Sequence, residues 1–198
     1  MKKLLEPDTW LFPLPVVLVT CQLPEQKPNI ITLAWCGIVA SNPPTVGLGV
    51  RPSRYSHSLI EKSKEFVVNI PTQKLLDKVD WCGMVSGKNF DKFKETGLTP
   101  LPAKTVGAPL IKECPVNLEC KLIQTLSLGT HSLFLGEIIA LWVDENALDS
   151  SGKIMVDKLE LVSFVPGADQ YFALGLSLIH ISEPTRPLYI SYAVFCLK

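Results

Sequence analysis

Apolar residues in this chain cluster in short β-branched runs closed off by proline, glycine and polar residues, a pattern of strands rather than long helices. Pro15–Gln22 (PVVLVTCQ) is the first run, bounded by Pro13 and Pro24. The polar stretch Leu23–Pro28 predicts a hairpin turn into a second strand over Ile30–Val39, and Ser41-Asn42-Pro43-Pro44 turns the chain into a third over Thr45–Val50. Gly47 and Gly49 interrupt that third strand and predict a bulge or a close backbone approach. Tyr55–Lys64 places Leu59 and Ile60 on one helical face, and Glu65–Ile70 is a strand stopped by Pro71. A second helix is predicted over Thr72–Trp81, with Thr72 as its N-cap. Cys82–Lys94 reads as a loop with a short helical turn, and Thr96–Ala108 as a surface connection. Strands resume at Val116–Thr125, His131–Val143 and Leu159–Val165, with Asp144–Lys153 a polar loop before the last. Strands outnumber helices, and their spacing predicts one closed β-barrel with a few helices around it.

With 198 residues, 47% hydrophobic, the chain is long enough for one domain with a full core. A formal net charge of zero gives no electrostatic reason to expect nucleic acid or an anionic membrane as partner. No apolar run reaches the ~18 residues of a membrane helix. Glu6, Pro7 and Asp8 interrupt the N-terminal MKKLL before a signal-peptide core forms. The expectation is a cytoplasmic protein. Its six cysteines form no CxxC pair and have no ligand spacing with histidine, so neither a metal site nor a disulfide scaffold is expected.

The chemistry concentrates in Asn29–Ser58. Thr32-Leu33-Ala34-Trp35 brings hydroxyl, small and aromatic residues to a strand end, and Arg51-Pro52-Ser53-Arg54-Tyr55-Ser56-His57 gathers guanidinium, hydroxyl and imidazole groups just before a helix N-terminus. Guanidinium binds phosphate oxygens in pairs, and a helix N-terminus attracts anions. This combination suits a flat, polar-rimmed ring with an anionic tail. A solvated surface for the arginines, core packing for Trp35 and an ordinary strand-start histidine for His131 are the plain alternatives. Nucleophilic and dinucleotide-fold readings find no support: GxSxG, GxGxxG and GxxxxGK[ST] are all absent.

In order along the chain, Asn29–Trp35, Ser41–Pro44, Arg51–Ser56, Glu65–Pro71, Ser86-Gly87-Lys88 with Asp91-Lys92-Phe93, and His131 before Leu133-Phe134-Leu135-Gly136-Glu137 resemble the flavin reductase-like family of FMN-binding split β-barrels, its flavoredoxin branch in particular. The resemblance spans about residues 8–175. It implies a mainly β split barrel with helices, a homodimer, and FMN as cofactor. It further implies oxidoreductase activity, with electrons from NAD(P)H or a small redox protein passing to flavin, a metal complex or another acceptor. A non-catalytic FMN carrier on the same barrel is the alternative. Carried onto this chain, Thr32, Leu33, Ala34 and Trp35 would follow the ribityl chain and ring edge, and Ser41 and Asn42 the pyrimidine side. Arg51, Ser53, Arg54, Ser56 and His57 would hold the phosphate. Lys92 and Phe93 would close over the cofactor, and His131 would meet the nicotinamide of the donor. Residues 176–198, which include LSLIHISEPTR, resemble translated sequencing adapter and read-through, and are set apart from the domain at 1–175.

Overall fold

A computed structural model describes residues 1–175, so the expected boundary of a non-native tail at 176–198 lies outside the described residues. The chain forms strands β1 (Leu14–Pro15), β2 (Val17–Cys21), β3 (Asn29–Leu33), β4 (Cys36–Ser41) and β5 (Pro44–Val50), then helix α1 (Tyr55–Ser63) and strand β6 (Glu65–Ile70). Helices α2 (Leu76–Met84) and α3 (Lys92–Thr96) follow. The remaining strands are β7 (Pro100–Leu101), β8 (Leu110–Ile111), β9 (Val116–Leu128), β10 (His131–Val143), β11 (Val162–Val165) and β12 (Gln170–Ala173). Seven strands form one antiparallel sheet in the order β3-β2-β6-β9-β10-β5-β4, and β1-β11-β12 form a second, smaller sheet.

The large sheet curls around a core of Val17, Val19, Ile31, Leu33, Leu48, Val50, Phe66 and Phe134, with Leu59 and Ile60 of α1 inserted from one end. Alternate residues of β2 and β3 face the other way. Leu18 and Ile30 pack there under Val79 and Cys82 of α2 and Phe93 of α3. Both faces of β2 are therefore covered, which is why VLVTC is buried throughout and carries no polar alternation. Gly136 lets the ribbon of β9 and β10 bend onto the core: a Cβ there would lie 2.3 Å from Phe66 Cζ, and the register shifts beside it.

The barrel is split where the sequence predicted closure. The strand expected over Ile30–Val39 breaks at Ala34-Trp35, and its halves, β3 and β4, lie at opposite edges of the sheet. The bend is held by Cys36 N–H donating to Ala34 O at 2.9 Å, while Gly49 N–H donates to Trp35 O at 2.7 Å. Gly49 is the close approach that its sequence position suggested, since a Cβ there would sit 3.1 Å from the Trp35 Cβ.

Other expectations shift for local reasons. Thr72 precedes a short 3₁₀ turn rather than the α-helix and makes no capping bond through its side chain. The helix itself runs on to Met84. The connection after α3 is not all surface, because Leu98, Val106 and Ala108 are buried. β9 extends to Leu128 because it pairs with the whole length of β10. Among the described residues no helix is long and apolar enough to cross a membrane.

Candidate functional site

The break between β3 and β4 opens one side of the barrel, and a cleft of about 570 Å³ occupies it. One wall is Thr32-Leu33-Ala34-Trp35 with Gly49, and the other is α2 with the β11–β12 hairpin. The Thr32 hydroxyl donates to Val79 O at 2.5 Å and ties β3 to α2. Trp35 is 43% exposed, and its indole stacks on His131, with ring centroids 6.3 Å apart and planes 9° from parallel. Arg51 Nε donates to His131 Nε2 over a long 3.4 Å, and Thr130 Oγ1 pairs with Nδ1 at 2.9 Å. Burial, and then the positive charge of Arg51, pull the His131 pKa below its ordinary value. The imidazole is thus held neutral, as an acceptor toward Arg51. On the far wall the Tyr171 hydroxyl donates to Asp80 Oδ1 at 3.0 Å, and burial together with the Asp80 carboxylate pushes the tyrosine pKa up to about 12.

A second, more polar cleft of about 190 Å³ adjoins the first, and Ile31, Arg51, Arg54 and Gly83 line both. Its floor is the start of α1. Arg54 is the N-cap residue and makes no capping bond through its side chain, so the first turn of the helix is left unsealed toward the cleft. Ser53, Tyr55 and Ser56 stand around it. Ser86 and Gly87 close the opposite side, and Lys92 comes from the start of α3. Lys92 is only 3% exposed, and its Nζ donates to Cys82 O at 2.6 Å. Burial lowers its pKa to about 8. Cys82 O is the one acceptor its ammonium meets among the described residues, which leaves N–H capacity for an anion. The geometry is tight. Asn29 Nδ2 donates to Ser56 Oγ at 2.7 Å, and a Cβ on Gly87 would fall 1.9 Å from Asn29 Oδ1. A larger residue there would force the Asn29 amide off Ser56.

Of the residues singled out from sequence, Thr32, Leu33, Ala34, Trp35, Arg51, Arg54 and His131 line the larger cleft, and Arg51, Ser53, Arg54, Ser56 and Lys92 the smaller. Four do not join them. Ser41 and Asn42 line neither cleft, because β4 carries them away from Trp35 to the tip of the β4–β5 hairpin. His57 lies on the core side of α1, where its Nε2 pairs with Ser132 Oγ at 2.9 Å and its ring tilts against Phe134. Phe93 faces away from Lys92, into the packing beneath α2. Asp80, Gly83, Phe164, Asp169 and Tyr171 were missed. They lie on a helix and on a hairpin far along the chain, and no local motif joins them. Gly87 carries no signal of its own beyond the Ser86-Gly87-Lys88 pattern, and its role comes from the contact with Asn29.

A split β-barrel whose open side carries two adjoining clefts, the smaller lined by Arg51, Arg54 and Lys92, defines a recognisable class of fold. The flavin reductase like domain model matches residues 10–160, and the chain belongs to the flavin reductase-like family. Flavoredoxin of Desulfovibrio vulgaris (Miyazaki F) superposes with a TM-score of 0.87 at 35% identity, covering 94% of this chain and 100% of that one. Flavoredoxin from Methanosarcina acetivorans superposes with a TM-score of 0.85 at 32% identity, covering 93% and 97%. An uncharacterized protein of Archaeoglobus fulgidus is 39% identical over 130 residues, which is 66% of this chain and 72% of the relative.

Proposed function

We propose that the two clefts together hold FMN, and that the chain is an FMN-dependent oxidoreductase working as a homodimer. It takes electrons from NAD(P)H or a small redox protein and passes them to free flavin, a metal complex or another acceptor. The observation that carries this reading is the junction of the clefts at Arg51 and Arg54, which sets an anion seat directly at the end of an aromatic-edged slot. The larger cleft lies within the ~300–1,000 Å³ range of small-molecule sites. The smaller one suits a phosphate monoester, which carries about −1.5 to −2 charges near neutral pH. Arg54 and the buried Lys92 match that charge, and the open N-terminus of α1 adds its dipole. A cleft of this size would take only one of the two singly charged phosphorus centres of FAD's pyrophosphate, and so less of the charge that Arg54 and Lys92 can match. The likeness to the two flavoredoxins supports the same choice of redox class.

Bound flavin would supply the electron-transfer chemistry itself. The chain's residues would bind, orient and shield it. Backbone groups of Thr32–Ala34 would follow the ribityl chain and ring edge. Trp35 and His131 would bound the mouth, where a neutral imidazole can hydrogen-bond a nicotinamide carboxamide without moving a proton. The homodimer reading draws on β4, an edge strand whose Ile38 and Val39 are 66% and 55% exposed. The test is an absorbance spectrum of the purified protein under anaerobic conditions, before and after NADH or NADPH, with mass spectrometry of the released cofactor. Bleaching of a bound FMN is the expected result. Stoichiometric FAD would overturn the cofactor assignment, and a chain that takes up no flavin would overturn the function.

A further inference from the structure

The smaller cleft carries charge of one sign only. Arg51, Arg54 and Lys92 line it, and among the described residues no aspartate or glutamate does. Lys92 is the buried member of the three, and its ammonium is met by a backbone carbonyl, Cys82 O, rather than by a carboxylate. An amine so placed gives up its proton readily: burial first, and the Arg54 charge after it, lower its pKa to about 8. At pH 7.5 about a quarter of the flavin-free chain then carries Lys92 as the neutral amine, against about a thousandth for a lysine of ordinary pKa. Cys82 lines the same cleft, but burial pushes its thiol up to about 11, so the amine is the better nucleophile there. The cleft thus sets a reactive amine among groups that gather phosphate.

We propose that Lys92 is an acylation site, modified by small acyl phosphates that dock in the flavin-free cleft through their phosphate group. This goes beyond the function proposed above and rests on it in one respect, the reading of this cleft as a phosphate seat. Arg54 and the open N-terminus of α1 hold the phosphate, which brings the adjoining carbonyl carbon within reach of Lys92. The Nζ lone pair attacks that carbon, the bond from it to the phosphate oxygen breaks, and inorganic phosphate leaves with the electron pair. One amine proton passes to the phosphate, an amide remains, and no oxidant or reductant is needed. Acylation removes the lysine's charge and leaves an amide in the space that the FMN phosphate needs. A chain modified in this way takes up riboflavin but holds FMN weakly, and bound FMN in turn shields Lys92.

The test treats the full chain, freed of cofactor, with acetyl phosphate at pH 7.5 and follows each lysine by peptide mass spectrometry. N-hydroxysuccinimidyl acetate, which carries no phosphate, is the comparison reagent. With acetyl phosphate, Lys92 should be acetylated on the order of tenfold faster than the exposed Lys2, Lys62 and Lys104. The uncharged ester should reverse that order, because exposed lysines are easier to reach. FMN or inorganic phosphate should suppress labelling of Lys92, and riboflavin should not. Arg54→Ala should erase the preference for Lys92 while the exposed lysines label as before and the far-ultraviolet circular dichroism stays native. Chain acetylated at Lys92 should bind FMN on the order of tenfold more weakly in a fluorescence titration, and riboflavin as before. Labelling of Lys92 that is no faster than that of the exposed lysines, or that ignores both FMN and Arg54→Ala, would overturn this inference alone if the chain still takes up flavin. A chain that takes up neither FMN nor inorganic phosphate overturns the proposed function as well.

Discussion

Arg54 does two things from one position. It ends the β5–α1 connection, with its N–H donating to Arg51 O at 2.9 Å, and it presents a guanidinium where the two clefts meet. If that guanidinium pairs with the phosphate, Arg54→Ala should weaken FMN binding by about 1.5–3 kcal/mol, the range for hydrogen bonds to a charged group. Riboflavin, lacking the phosphate, should lose little, and equal losses measured by fluorescence titration would make Arg54 purely structural. Lys92 supplies a pH-dependent counterpart. Its free-state pKa is lowered to about 8, so the ammonium is present below that pH and is progressively lost above it. A phosphate dianion favours the charged form, so above pH 8 binding must take up a proton and the Kd should rise by up to about tenfold per pH unit. FMN affinity should therefore be level from pH 6.5 to 7.5 and fall by pH 9. The fall should be absent for riboflavin, and absent in Lys92→Met, whose affinity is weaker throughout. A Lys92→Met titration that tracks the native curve would show that another group titrates.

The elements were legible wherever one periodicity held over the whole segment. β6 and β10 fall where the pattern placed them, and α1 ends within a residue of it, at an αL Lys64 whose N–H returns to Ile60 O. Legibility failed where the backbone bends without a strong breaker. Ala34-Trp35 carries no glycine or proline, so the division of β3 from β4 depends on the partner across the gap, Gly49. It failed again where neighbours in sequence face opposite ways. His57 and Phe93 adjoin the cleft-lining residues Ser56 and Lys92 yet point into the core, a direction that only the packing of α1 and α3 reveals. Glu119 shows the same limit. A carboxylate within β9, it is nonetheless fully buried, and it accepts from Lys104 N–H at 2.9 Å, Thr105 N–H at 2.7 Å, the Thr105 hydroxyl, and Trp142 Nε1 at 2.6 Å. Burial pushes this carboxyl up, but the hydrogen bonds from Thr105, Lys104 and Trp142 outweigh it and hold the pKa at about 2. The folded value lies below the ordinary one of 4.5, so the stabilisation is complete above that pH and is lost as pH falls toward 2. Glu119→Gln should cost about 1.5–3 kcal/mol at pH 7, and the gap from the native chain should narrow steadily below pH 4.5. Thermal melts at pH 7 and pH 3 would check this, and a constant gap would mean that the carboxylate's charge is not what holds the 104–105 segment to β9.

At the scale of the molecule, the larger cleft is finished on one side only. Trp35, His131 and Gly49 line that cleft and also a third, largely apolar one of about 540 Å³ on the outer side of the same wall, shared with Val39, Leu128 and Leu133. That outer surface runs onto β4, one edge of the large sheet, and along the outer halves of β9 and β10, where Leu126 and Leu128 are 39% and 58% exposed. An unpaired edge strand bearing large apolar side chains is an unfinished surface in a single chain, and twofold self-association is the commonest way such a surface is covered. A second copy seated there would bury Val39 and Leu128 and brace the Trp35–His131 stack from behind. Assembly and flavin binding should therefore fail together. The native chain should sediment as a dimer at micromolar concentration. Val39→Asp, which places a charge in the middle of the contact, should shift it to monomer and weaken FMN binding, while the fold measured by far-ultraviolet circular dichroism stays intact. Leu4→Asp, an equally drastic change on an exposed side chain that lines none of these clefts, should do neither. A native monomer that holds flavin stoichiometrically would sink the dimer, and a Val39→Asp monomer with unaltered FMN affinity would show that the second copy covers the sheet edge without contributing to the site.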